Sequence, residues 1–177
     1  MHRLFVALRP PLVVRNLLGG LMEGVVHARW QTQDQIHITL RFIGEVDSRT
    51  AEDIGFALQS VRHPPFEIAL DGIGTFDRKG RIGMLWAGLS PMDSLAALHH
   101  KIDHMMVRIG LPPEARAYRP HVTLARFGRD GGDVATFAAH HAGLTSAPFR
   151  VDSFGLFESR LGNTGARYEL VSRYILA

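Results

Sequence analysis

A four-residue pattern that could perform acid–base chemistry occurs twice in this sequence. It reads HITL at residues 37–40 and HVTL at residues 121–124, so the copies lie nearly half of the 177-residue chain apart. Random ordering of the same composition would give about 0.05 matches to histidine-x-threonine-leucine. Chance therefore does not account for two copies, and we interpret them as two parts of one functional unit.

The spacing of histidine and threonine suits a β-strand, in which alternate side chains project from the same face. His37 and Thr39 would then share a face, as would His121 and Thr123. If the two strands meet across a cleft, a neutral imidazole can accept a proton from an attacking oxygen, and a protonated imidazole can donate a proton to the leaving oxygen. Threonine hydroxyls can bind the non-bridging oxygens of a phosphate. The pattern therefore predicts metal-free phosphoester transfer.

Apolar periodicity predicts the elements that must position these residues. Strands are expected at RLFVAL, IHITLRFIG, FEIALDGIGTF, RIGMLWAGL, HVTLARF, FRVDSFGLFES and ARYELVSRYIL. Helices are expected over residues 14–21, 51–61, 91–109 and 133–141, with Pro91 in the first turn of the third and a core stripe from Met92 to Ile109. We expect an α/β (α+β) fold in which residues 1–177 form one domain of two comparable, interleaved lobes, each with an antiparallel sheet and helices.

Composition excludes several classes of function. There is no cysteine, so disulfides, thiolate metal sites and cysteine nucleophiles are excluded. No apolar run approaches the ~20 residues of a membrane span, and the N-terminal segment lacks the apolar core of a secretory signal. We therefore expect a cytoplasmic protein with no membrane partner, and a monomer. The net charge is +3, and only Lys79 and Lys101 among 20 basic residues are lysine. Arginine binds phosphate bidentately, so a nucleic-acid partner is permitted.

The sequence around the two motifs resembles that of a known family. The chain resembles the 2H phosphoesterases, named for two His-x-Thr/Ser motifs, and within them the RNA 2',3'-cyclic phosphodiesterases, historically called 2'-5' RNA ligases. The similar segments are RLFVAL, RW, HITLRFIGEV, PPFEIAL, LWAGL, YRPHVTLARF and FGLFESRLGNTGARYELV. The resemblance implies a 2H phosphoesterase-like, bilobal fold with two pseudo-symmetric lobes. It also implies hydrolysis of RNA 2',3'-cyclic phosphate ends to 2'-phosphates without metal or other cofactor, and in some members reversible 2'-5' joining.

The resemblance also assigns roles to the motif residues. His37 is expected to be the acid that protonates the leaving oxygen, and His121 the base that activates water. Thr39 and Thr123 are expected to bind the phosphate.

The fifth position after each histidine differs between the two halves. It is Phe42 in the first and Arg126 in the second. In the family the arginine there binds the phosphate, and an aromatic residue can stack on the nucleobase. Strict alternation along the strand would direct Arg126 away from the face of His121, so a strand end or a β-bulge is required.

Other interpretations stay open at the level of sequence. The substrate could be a small nucleoside cyclic phosphate, or the groove could bind nucleotides without turnover. Two titrating histidines disfavour a pure binding module. His100 and His104 are spaced i, i+4 on the third helix, but no Glu or third ligand accompanies them, so we expect no metal site there.

Overall fold

Nine strands and four helices make up the computed structural model, which describes residues 1–163 and 165–177. The strands are β1 (His2–Leu8), β2 (Arg29–Trp30), β3 (Ile38–Val46), β4 (Phe66–Arg78), β5 (Arg81–Ser90), β6 (Val122–Arg126), β7 (Phe149–Val151), β8 (Ser153–Gly162) and β9 (Gly165–Ile175). The helices are α1 (Leu12–Gly19), α2 (Ser48–Leu58), α3 (Asp93–Arg108) and α4 (Ala135–His141), with a 3-10 turn at Gln33–Gln35.

The two motif strands lie at the centre of one curled antiparallel sheet. Its order is β7-β4-β5-β6-β3-β1-β8-β9, and β2 adds to β6. The motif strands β3 and β6 are the innermost strands of their halves. Each pairs with a strand that precedes it in the chain, β3 with β1 and β6 with β5, and in both cases a helix follows that earlier strand. The two halves are joined where Ile38 pairs with Val122, and each of these is the second residue of its motif. This arrangement confirms the expected mixed α and β fold class.

Each motif contains a β-bulge at its leucine. The register of β3 against β1 skips Leu40, and the register of β6 against β5 skips Leu124. A bulge places one extra residue against the partner strand and so reverses the alternation of the side chains that follow. Of the two alternatives predicted for Arg126, a strand end or a bulge, a bulge is therefore present, and the first half repeats it at the equivalent position.

The aliphatic residues of the motifs are in the core, on the face opposite the histidines. Ile38, Leu40, Val122 and Leu124 are all fully buried. Helix α3 packs against this side of β3, and burial of each such side chain contributes about 1.5–3 kcal/mol. No helix in the described part of the chain is long and apolar enough to cross a membrane.

Several predicted boundaries were wrong. Helix α3 starts at Asp93, so Pro91 lies before it, and Met92 and Ile109 are exposed. A residue at a helix end lies outside the face that packs on the sheet, so the apolar period alone overestimates the core stripe. Helix α4 starts at Ala135 rather than Asp133, and α1 ends at Gly19.

The predicted strand FRVDSFGLFES is two strands, divided at Asp152. β7 pairs with β4 and β8 pairs with β1, toward opposite ends of the sheet. The chain thus passes from one half of the sheet to the other within one residue.

Candidate active site

The four polar motif residues lie on one face of the sheet, where its two halves meet. Because Ile38 faces Val122 in an antiparallel pair, His37 lies opposite Thr123 and His121 opposite Thr39. The two histidines are therefore diagonal neighbours. The local two-fold relation of the pair makes each half contribute one imidazole and one hydroxyl to the same small area.

Each imidazole is fixed by the same backbone contact. Nδ1 of His37 donates to the carbonyl of Gln35 at 2.6 Å, and Nδ1 of His121 donates to the carbonyl of Arg119 at 2.7 Å. A carbonyl oxygen can only accept, so Nδ1 carries the proton in both rings. The neutral tautomer then leaves Nε2 unprotonated, which is the state of a general base.

Aromatic rings surround each histidine. The His37 ring centroid lies 5.0 Å from that of Phe5 and 5.1 Å from that of Tyr168. The His121 ring lies 4.9 Å from Phe76 and 6.1 Å from Trp86. These contacts restrict the orientation of both imidazoles and remove water from their faces.

Gly74 makes room for the Trp86 ring beside His121. A Cβ added at Gly74 would lie 2.2 Å from two atoms of the Trp86 indole. Any larger residue would displace the indole, so glycine is required by packing at this position of β4.

Burial and positive charge both favour the neutral histidines. Burial above all, with smaller contributions from the guanidinium of Arg126, from His121 and from Arg9, lowers the pKa of His37 to about 4, against the opposing effect of the Gln35 carbonyl. Burial, followed by the charge of Arg126, also lowers the pKa of His121. In the free protein at pH 7 both rings are therefore neutral, and a bound anion would favour their protonation.

The two threonines make different contacts. Oγ1 of Thr39 lies 3.1 Å from Nε2 of His37, to which its hydroxyl can donate. Oγ1 of Thr123 is instead directed at the sulfur of Met84, 3.4 Å away. Because a thioether is a weak acceptor, the Thr123 hydroxyl is easily redirected to a stronger acceptor such as a phosphate oxygen.

The bulges bring Phe42 and Arg126 onto the histidine face. Arg126 follows buried Ala125 and is exposed. Phe42 likewise follows buried Arg41 and is 46% exposed, with the guanidinium of Arg3 5.5 Å from its ring centroid. The structure thus brings all six predicted site residues to one face of the sheet.

A stacked pair of rings, from buried His99 and partly buried Tyr118, holds the backbone of the first motif. The Tyr118 hydroxyl donates to the carbonyl of Thr39 at 3.1 Å, and Nδ1 of His99 donates to the carbonyl of Leu40 at 2.6 Å. The two rings are stacked, with centroids 4.1 Å apart and planes 3° apart. Tyr118 also directly precedes Arg119, whose carbonyl orients His121. One side chain therefore connects the backbone of one motif to the support of the other histidine.

The equivalent carbonyl in the second motif has a different partner. The carbonyl of Leu124 accepts a hydrogen bond from the backbone N–H of Gln31, beside β2. Among the described residues no short strand like β2 pairs with β3 at this position, and the His99 imidazole supplies the donor instead.

We expect Tyr118→Phe to lower kcat about tenfold with little change in KM, because small misplacements of catalytic groups reduce the rate without removing contacts to the substrate. Tyr174→Phe is the matched control, since Tyr174 also stacks on an aromatic ring and also donates to a backbone carbonyl, that of Gly55 at 3.0 Å. Both variants should lose about 1 kcal/mol of unfolding free energy, measured by denaturant titration. Equal kcat values in the two variants would contradict the positioning role of Tyr118.

Sequence reasoning did not assign a role to the supporting residues. His99, Phe5, Phe76, Trp86 and Tyr168 come from five different elements, and no local pattern connects them to the motifs. The short segment YRPH, which places Tyr118 three residues before His121, was the one available signal. Within the described residues, no group of three or more His, Cys, Asp or Glu side chains is arranged to hold a metal ion.

A family model covers the part of the chain that builds this site. The model of the 2'-5' RNA ligase superfamily matches residues 26–163, which include all six site residues. The chain belongs to the 2'-5' RNA ligase superfamily. Within that superfamily it is similar to an RNA 2',3'-cyclic phosphodiesterase of Aeropyrum pernix, with 39% identity over 114 residues that cover 62% of this chain and 65% of the relative.

Longer matches within the superfamily have lower identity. An RNA 2',3'-cyclic phosphodiesterase of Archaeoglobus fulgidus is 26% identical over 170 residues, covering 94% of this chain and 96% of the relative. A crystal structure of Escherichia coli LigT complexed with 3'-AMP superposes with a TM-score of 0.83 at 24% identity, covering 99% of this chain and 98% of LigT. A crystal structure named as a phosphoesterase gives a TM-score of 0.80 at 25% identity, with the same coverage of both chains.

Proposed function

We propose that this protein hydrolyses 2',3'-cyclic phosphate ends of RNA to 2'-phosphates, without a metal ion. The observation that carries the proposal is the pair of imidazoles on one face, each with Nδ1 held by a carbonyl and Nε2 left to exchange protons. Relatives named RNA 2',3'-cyclic phosphodiesterase supply the substrate class.

In the proposed reaction, Nε2 of His121 accepts a proton from water as the water oxygen bonds to phosphorus. The bond from phosphorus to the 3' oxygen breaks, and Nε2 of protonated His37 donates its proton to that oxygen. The products are a 2'-phosphate and a 3'-hydroxyl. His121 is then protonated and His37 neutral, and exchange with solvent restores the starting states.

The other polar residues stabilise the phosphate during this step. Arg126 supplies a planar cation that suits two phosphate oxygens. The hydroxyls of Thr39 and Thr123 donate to the same two non-bridging oxygens, so the negative charge that develops on them in the transition state is stabilised by hydrogen bonds. Phe42 offers an exposed ring on the same face on which a nucleobase can stack.

The pH dependence of the reaction follows from the lowered histidine pKa values. The two limbs of the pH profile of kcat/KM report the pKa values of the catalytic groups in the free protein. In the free protein, burial and the charge of Arg126 lower the pKa of both rings. The reaction needs one protonated and one neutral ring, so we expect a bell-shaped kcat/KM with its maximum below pH 6.5. The bound phosphate anion raises both pKa values, and the kcat profile should therefore lie at higher pH. Steady-state kinetics from pH 4 to 9 measure both profiles, and coincident profiles would contradict this account.

A substrate panel tests the proposed function. The protein is assayed with excess chelator on adenosine 2',3'-cyclic phosphate, on a dinucleotide ending in a 2',3'-cyclic phosphate, and on the corresponding linear 3'-phosphates. We expect turnover of the cyclic substrates alone, with the 2'-phosphate as the sole product. Addition of an RNA with a free 5'-hydroxyl tests 2'-5' joining, in which that hydroxyl takes the place of water. Binding without turnover of any cyclic phosphate would refute the proposal.

A further inference from the structure

Arg29 lies directly opposite Arg126 in the sheet. The two residues are a register pair between β2 and β6, and the neighbouring pair is Trp30 with Ala125. Side chains of a cross-strand pair project from the same face, with Cβ atoms about 5 Å apart.

The neighbouring pair shows which face this is. The Trp30 ring packs against Phe137 of α4, with centroids 5.7 Å apart, and Ala125 is fully buried. Trp30 and Ala125 therefore point into the core, and Arg29 and Arg126 point the other way, onto the face of the histidines. Both arginines are exposed.

This pair of like charges is not neutralised by the protein. Among residues 1–163 and 165–177, neither Arg29 nor Arg126 has a carboxylate oxygen within 4.0 Å. Like charges placed directly opposite one another destabilise a sheet. Such a pair is tolerable where an anion of more than one charge lies between the two guanidinium groups.

A surface hollow adjoins Arg29. It has a volume of about 250 Å³ and is lined by His27, Arg29, Gly128, Asp130 and Gly131. A Cβ added at Gly128 would meet no heavy atom within 4 Å, so this part of the hollow is open to a ligand. Asp130 contributes the one carboxylate, and it forms no ion pair with Arg29 among the described residues.

We propose that Arg29 and this hollow bind the phosphodiester on the 5' side of the terminal nucleotide, while Arg126 binds the cyclic phosphate itself. The identity of the ligand rests on the proposed function. A charged groove that follows a nucleic-acid backbone needs cations at successive phosphates, and two arginines side by side on one face supply them. The site therefore distinguishes an RNA end, which carries this phosphodiester, from a mononucleoside cyclic phosphate, which lacks it.

Arg29→Gln tests the proposal through substrate length. We expect kcat/KM to fall about tenfold more for a dinucleotide 2',3'-cyclic phosphate than for adenosine 2',3'-cyclic phosphate, as expected for loss of one charged hydrogen bond. Arg108→Gln, at the exposed end of α3, removes the same charge from the opposite side of the sheet and is the matched control. It should show no preference between the two substrates.

A binding measurement separates this proposal from the proposed function. Calorimetry with a dinucleotide ending in a 2'-phosphate, and with adenosine 2'-phosphate, requires no turnover. For Arg29→Gln the slope of log Kd against log salt should shrink by about 0.7 for the dinucleotide only. If the protein binds both ligands but hydrolyses no cyclic phosphate, the proposed function is refuted. The change in slope would still decide whether Arg29 binds the phosphodiester. Equal losses for long and short ligands, or no loss for either, would overturn the role of Arg29.

Discussion

We expect His37→Asn and His121→Asn each to lower kcat for cyclic phosphate hydrolysis by about 10²–10⁴-fold, the usual contribution of a general acid or base. Asparagine is chosen because its amide N–H can replace Nδ1 as the donor to the carbonyl of Gln35 or Arg119. The variant thus keeps the local hydrogen bond and removes only the group that transfers a proton at Nε2. Loss of activity can then be assigned to chemistry rather than to a disturbed backbone.

The double variant sharpens the same experiment. If the two histidines act in one step, the double variant should be little slower than either single variant, because groups that act as a unit are not additive. His104→Asn on α3 is the control, since His104 is exposed and lies outside the site. Thermal unfolding of all variants checks the fold. A single variant that keeps more than a tenth of the wild-type kcat would remove that histidine from the mechanism.

The second large effect is expected at Arg126. Arg126→Gln should lower kcat/KM on a mononucleoside 2',3'-cyclic phosphate by about 10²–10³-fold, because it removes a fixed donor to the charge that develops on the phosphate. Arg126→Lys keeps the charge but loses the planar fork, so we expect an intermediate loss. Steady-state kinetics on the same substrate compare the three proteins.

Arg126→Gln should also move the pH profile. Its charge lowers the pKa of both histidines, so removing it lets both values rise, although burial still holds them below the ordinary range. The limbs of kcat/KM should therefore shift to higher pH in the glutamine variant and remain in place in the lysine variant. A pure loss of rate with unchanged limbs would show that Arg126 does not act on the histidines.

Much of the site could be predicted because it depends on local geometry. The period of two in a strand assigns histidine and threonine to one face and the aliphatics to the other, whatever the strand pairs with. Ile38, Leu40, Val122 and Leu124 are accordingly buried. The same rule showed that Arg126 needed a strand end or a bulge, and a bulge lies at Leu124. The fold class followed from the alternation of strand and helix patterns.

Pairing between distant segments was not predictable in this way. FRVDSFGLFES has a continuous strand pattern, yet Asp152 divides it between two halves of the sheet. Nothing within eleven residues specifies which partner each part will have, because partner choice depends on packing across the whole sheet. The second bulge, at Leu40, was missed for the same reason: a bulge is a property of two strands, not of one.

By itself, the sequence determined which residues we predict to carry the chemistry: the motif histidines and threonines with the fifth positions after them. Only the tertiary structure decided how these residues are held. Ile38 meets Val122, Tyr118 and His99 bind the carbonyls of the first motif, and Arg29 lies beside Arg126. The physical reason is the separation along the chain over which each feature is determined. The direction of a side chain on a strand is fixed by neighbouring peptide units, whereas each of these contacts joins segments that only the folded core brings together.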